Sequence, residues 1–113
     1  MLRLILLIVA SAMLLLAADI SGTWTAEVVL DAGSGTATFQ FKQTGETLAG
    51  TYSGTFGQAN VTGTIQGDQV TWTFDGGQAG KATYKGTLTG DAKMSGTVEY
   101  AAVGGGKFTA TKK

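Results

Sequence analysis

From Thr23 onward the chain alternates apolar and polar residues in short runs bounded by Gly or Asp, and no stretch follows the period of a helix. A period of two puts successive side chains on opposite faces of a strand. Eight such runs read as strands, at 22–30, 36–43, 47–54, 59–66, 69–75, 81–89, 92–100 and 106–112. One face is apolar throughout. It comprises Trp24, Ala26, Val28 and Leu30; Ala37, Phe39 and Phe41; Leu48, Gly50 and Tyr52; and Val61, Gly63 and Ile65. It continues with Val70, Trp72 and Phe74; Ala82, Tyr84, Gly86 and Leu88; Met94, Gly96, Val98 and Tyr100; and Phe108 and Ala110. The opposite face is mostly Thr, with Gln, Lys, Glu and Asp. No helix is on hand to cover eight half-buried strands, so closing the sheet on itself hides the apolar face and removes both edges. The expected fold is all-β, a single eight-stranded antiparallel up-and-down barrel.

Turn chemistry orients that barrel. The links after the second, fourth and sixth strands read as tight, at Thr44-Gly45, Gly67-Asp68 and Gly90-Asp91-Ala92. The links after the first, third, fifth and seventh read as longer, at Asp31–Gly35, Thr55–Gln58, Gly76–Gly80 and Ala101–Gly105. In a meander the two sets lie at opposite ends, so one end is expected to be pinched and the other open. Pairing through the tight turns sets Ile65 opposite Val70, Gly63 opposite Trp72, Phe41 opposite Leu48, Phe39 opposite Gly50 and Gly86 opposite Gly96. Aromatic rings over cross-strand glycines suit a strongly coiled sheet.

Residues 1–18 are of another kind. Met1-Leu2-Arg3 is a short basic start, Leu4 to Leu16 is apolar apart from Ser11, and Ala17-Ala18 supplies small residues for cleavage. This is the layout of a secretory signal peptide, and the run is shorter than the ~20 residues a spanning helix needs. Leu15 or Leu16 at the position three before the cut leaves an uncleaved anchor as the alternative, with membrane contact only in that case. The expected product is a barrel domain over 19–113, exported to the periplasm or the extracellular space. It has no Cys, so export brings no disulfides.

Gly22-Thr23-Trp24 at the start of the first strand resembles the Gly-x-Trp opening of the calycin superfamily, which holds lipocalins, fatty-acid-binding proteins and avidins. The Gly-Thr-rich meander also resembles small exported bacterial barrels of unassigned function. The resemblance implies a ring at Trp24 packed across the closed end of the barrel, beside a basic residue, Lys112 or Lys113, from the end of the last strand. The ligand residues of avidins are not matched: the chain continues Thr25-Ala26-Glu27-Val28 where avidins place the Asn and Ser/Tyr groups that hold biotin. Biotin binding is therefore not implied, and a fold by itself does not give a function.

Composition removes much chemistry. There is no His, no Cys, and no Arg after Arg3. Ser-His and Cys-His nucleophile pairs and zinc sites with His or Cys ligands are excluded, so neither an enzyme nor a metal or other cofactor is expected. Glu27 and Glu99 fall on outward positions, while Asp31, Asp68, Asp75 and Asp91 fall in or beside turns, where Asp is a turn former. Seven Lys against eight carboxylates after residue 18 give no electrostatic footprint for nucleic acid. Repeated Thr-x-Thr triplets such as Thr62/Thr64 follow from strand propensity, since a twisted wall cannot present a flat Thr lattice.

The tyrosines carry the functional expectation. Tyr52 and Tyr100 come late in odd-numbered strands and Tyr84 early in an even-numbered one, so all three point inward near the open end. With Phe74 beside them, and Phe56, Gln58, Gln78 and Val103 on the loops above, they outline a pocket for a small apolar or aromatic ligand. The alternative is a filled barrel acting as a structural or protein-interaction module. A void lined by the three tyrosines separates the first reading from the second. A lipid-facing barrel would invert the whole pattern and turn the apolar face outward.

Overall fold

The structure is a computed structural model and describes residues 19–113. The signal-peptide assignment lies outside the described residues. Eight strands run β1 Gly22–Leu30, β2 Gly33–Thr44, β3 Thr47–Gly54, β4 Gly57–Gln66, β5 Gln69–Asp75, β6 Lys81–Leu88, β7 Lys93–Tyr100 and β8 Gly104–Lys112. They pair antiparallel in sequence order and close through the β1/β8 ladder. The all-β, up-and-down, closed eight-strand barrel expected from the alternation is what forms.

The alternation decides what is inside. Every inward side chain read from the sequence is buried except Leu30, which is half-buried and packs on the core. The inward glycines Gly50, Gly63 and Gly96 are half-buried. Val29 is the one large hydrophobic side chain exposed among the described residues, at 61%. The apolar face is thus turned inward, the reverse of a lipid-facing barrel.

Phe39 is the hub of the interior. Its ring centroid lies 5.1 to 5.8 Å from those of Tyr84, Trp72, Tyr52, Phe41 and Phe74. Trp72 stacks on Tyr84 at 5.1 Å and stands edge-on to Phe41 and Phe108. Its Nε1 is a buried donor without a hydrogen-bond partner among the described residues. Aromatic pairs in these geometries each add on the order of 1 kcal/mol beyond the area they bury.

Inward glycines leave room for these rings and let paired strands coil closely against each other. A Cβ at Gly50 would lie 1.8 Å from Gln40 O, and one at Gly96 would lie 1.9 Å from Lys85 O. Gly63 faces Trp72 and Gly86 faces Gly96, as the turn chemistry indicated.

The register between β2 and β3 differs from the expected one. Phe41 faces Gly50 and Phe39 faces Tyr52, two residues from the anticipated pairing. The hairpin turns on Gly45-Glu46 rather than on Thr44-Gly45, since Thr44 and Thr47 are the last partners. Gly45 takes φ +62°, matching Gly67 at φ +61° in the next tight hairpin. The glycine therefore occupies the first central position of each turn, and moving a turn by one residue moves the pairing by two.

The division into tight and loose ends also needs correction. Leu30 pairs with Gly33 and Gly54 with Gly57, so the β1–β2 and β3–β4 links are two-residue turns. The glycines read as loop residues retain their peptide groups and extend the ladders. What distinguishes this end is the other two links. Gly77–Ala79 form a short 3-10 turn between β5 and β6, and Asp75 Oδ1 accepts the Gly77 N–H at 2.9 Å. The β7–β8 link is tied to it, Ala102 N–H donating to Ala79 O at 2.9 Å.

The opposite end is sealed by residues just before β1. Ile20 is fully buried. Its carbonyl accepts the Trp24 Nε1–H at 2.9 Å, and its N–H donates to Gln43 Oε1 at 2.9 Å. Ser21 Oγ accepts the Gln43 N–H at 2.9 Å. Lys112 stands opposite Trp24 in the β1/β8 ladder and donates from Nζ to Asp19 O at 3.3 Å. Trp24 and Lys112 are thus both closed-end residues, while the plug itself, Ile20, had no signal in the strand pattern.

Candidate functional site

The cavity at the mouth follows from a change of side-chain size along β2. Its inward positions read Gly33, Gly35, Ala37, Phe39 and Phe41, so the strand fills the middle of the barrel and leaves its mouth end without volume. Gly54, which pairs with Ala37 on the neighbouring β3, is equally small. Against this thin wall stand the three tyrosines. The space between has a volume of about 290 Å³. It is bounded by Val28 and Leu30, residues 32–37, Tyr52, Thr55, Phe56, Tyr84, Tyr100 and Val103. No lining residue carries a charge.

Five of the eight residues singled out from the sequence line this space: Tyr52, Tyr84, Tyr100, Phe56 and Val103. Phe74 does not. It is buried beneath the cavity, stacked on Tyr52 with ring centroids 4.2 Å apart. Gln58 and Gln78 are exposed and away from it. Gln58 lies on β4 at the outward parity set by the buried Val61 and Ile65. Gln78 lies on the 3-10 turn, whose buried residue is Ala79. The sequence places Ala37 on the inward face but reads Asp31–Gly35 as loop, so the contribution of Ala32-Gly33-Ser34-Gly35 to the cavity is not apparent from it. The available signal was the run of small inward residues that follows from extending the Phe39 parity backward.

The tyrosine hydroxyls are organised. Tyr84 Oη and Tyr100 Oη are 2.8 Å apart and hydrogen-bonded. Tyr52 Oη accepts the Phe56 N–H at 3.2 Å, which fixes the β3–β4 turn against the cavity. Side chains are disfavoured around them: a Cβ on Gly54 would lie 2.7 Å from Tyr52 Oη, and one on Gly76 would lie 2.6 Å from Gly80 O and 3.3 Å from the Tyr100 ring. All three rings are 2% exposed or less. Burial pushes the Tyr84 phenol up to about 12, and the hydrogen bond to Tyr100 only partly offsets this. The Tyr100 phenol is raised further, first by burial and then by its hydrogen bond to Tyr84. Both are therefore neutral hydroxyls across the physiological range.

No family model matches this chain, and no curated protein matches it. Among solved structures, the chain is similar to a redesigned beta barrel, mFAP1, in its complex with DFHBI. The two share 15% identity at a TM-score of 0.58, over 83% of this chain and 94% of that one. At that identity the likeness concerns the barrel fold.

Proposed function

We propose that this protein is an exported, non-enzymatic barrel of calycin-like type that takes up one small, mostly apolar or aromatic molecule at its mouth. The observation that carries the reading is the cavity of about 290 Å³ between three buried phenols and a wall of glycine and alanine. Its size is near the lower end of ligand pockets, about 300 Å³, which suits a molecule of one or two rings. The middle of the barrel is solid with aromatic side chains, so uptake is confined to the mouth and does not run through the molecule. The uncharged lining favours an apolar guest, because a charge moved there would lose its hydration without a partner. A barrel of similar fold, mFAP1, holds DFHBI, so the architecture accommodates a bound compound.

Native mass spectrometry of the 19–113 chain, purified from its own host without detergent, tests the proposal. A discrete additional mass that is released on denaturation is the expected result. A bare chain, together with no thermal shift across a library of one- and two-ring compounds, would refute it.

A further inference from the structure

The proposed guest has a definite polarity, because the three phenols together hold more protons than they use among themselves. Tyr52, Tyr84 and Tyr100 carry three O–H groups, so hydrogen bonds within the trio must number three to use every proton. One such bond is present, between Tyr84 and Tyr100. The remaining contact, from the Phe56 N–H to Tyr52 Oη, uses an acceptor and no phenolic proton. Among the described residues no backbone carbonyl or side-chain oxygen outside the trio accepts from a phenol. At least one O–H is therefore left over, on a side chain at least 98% buried that lines the cavity.

A phenolic proton turned toward the cavity takes an acceptor that enters it, and an arriving oxygen makes there a hydrogen bond that a CH₂ group cannot. No lysine lines the cavity to balance an anion, and burial raises the Tyr84 and Tyr100 phenols, which stay protonated well above neutral pH. The acceptor that suits the site is consequently an uncharged one. Phe56, half-buried with its ring 4.8 Å from that of Tyr100, and the half-buried Leu30 and Val103 offer apolar surface around it.

We infer that the mouth selects a neutral aromatic molecule bearing a carbonyl-type oxygen, oxygen inward against the tyrosine hydroxyls. This deepens the carrier reading and rests on it.

A set of three probes separates the two ideas: acetophenone, α-methylstyrene, in which a CH₂ group replaces the oxygen in the same flat shape, and benzoate. Each is titrated against the folded barrel by two-dimensional amide NMR, following Thr55 and Phe56. The ketone should bind roughly three- to tenfold more tightly than the alkene, the range expected for one neutral hydrogen bond. Benzoate should bind more weakly than the ketone. In the Tyr52→Phe/Tyr84→Phe/Tyr100→Phe triple variant the preference for ketone over alkene should vanish while alkene affinity persists. Equal or tighter binding of the alkene by the native barrel overturns the inference and leaves the carrier reading standing. Tightest binding of benzoate overturns the claim of a neutral guest. No shift at Thr55 or Phe56 with any probe overturns the carrier reading itself. The native barrel alone decides among these outcomes, whether or not the triple variant folds.

Discussion

Replacing Ala37 by Leu tests the cavity directly, because it should stabilise the protein and abolish uptake together. Ala37 points inward at the mouth, is 4% exposed and borders the empty space, so three added carbons project into that space. Burying three carbons at about 0.8 kcal/mol each yields about 2.4 kcal/mol, against about 0.5–1 kcal/mol for freezing the leucine rotamers. The net gain is about 1.5 kcal/mol. In a domain of this size that raises the melting temperature by roughly 6–12 °C. The control is Ala26→Leu. Ala26 pairs with Ala37 across the β1/β2 ladder but is fully buried and does not border the cavity. There the same carbons overpack a filled layer and should cost about 1–3 kcal/mol. Scanning calorimetry of both variants, with acetophenone binding measured beside it, gives the comparison. If Ala37→Leu melts lower than the native chain and binds acetophenone unchanged, the space is not where Ala37 points and the site is wrongly placed.

Three further outcomes are expected. Gly96→Ala should lose at least about 3 kcal/mol in urea denaturation, since its Cβ would fall 1.9 Å from a backbone oxygen that the ladder holds in place. Ile20→Ala should cost about 2–4 kcal/mol although Ile20 lies outside every strand, because it is fully buried and its loss opens the closed end. Alkaline unfolding should be steep: the Tyr84 phenol is raised from 10 to about 12, so its contribution is complete below pH 10 and is lost as pH rises through about 12. Ultraviolet titration of the folded chain should show Tyr84 and Tyr100 still protonated at about pH 11. Normal titration of Tyr84 and Tyr100, with the fold intact by circular dichroism, would contradict their burial.

The alternation made the barrel, its inside and its outside legible from residues alone, because a one-residue slip in a half-buried strand exposes its whole apolar set. The tyrosines at the mouth followed from strand direction and parity. Glycine is where the reading failed, in two distinct ways. At Gly45 the ambiguity was which residue begins the turn, and a shift of one position moved Phe41 from Leu48 to Gly50. At Gly33, Gly57 and Gly104 glycine was taken to end strands, yet these residues pair with Leu30, Gly54 and Tyr100. The first of these extensions supplies the thin wall, so the cavity's main boundary was hidden in what read as a loop. Gln58 and Gln78 were placed at the mouth by proximity in sequence, whereas strand parity and the 3-10 turn send them outward. Ile20 precedes the alternation, and no periodic signal reports on a plug.

The closed end has a bearing on how the barrel can be displayed. Asp19 O meets Lys112 Nζ, and Lys113 N–H donates to Thr23 O at 3.0 Å, so β1 begins and β8 finishes on the same rim, with the three tyrosines at the other. Any tether reaching the domain through residue 18 or beyond residue 113, whether a retained leader, a fusion partner or a bead, grips the molecule by its base. The mouth then faces away from the support. A surface coated with tethered barrels would present every cavity to the solution, and a loop grafted between Asp31 and Ala32 would stand beside the entrance without disturbing the seal.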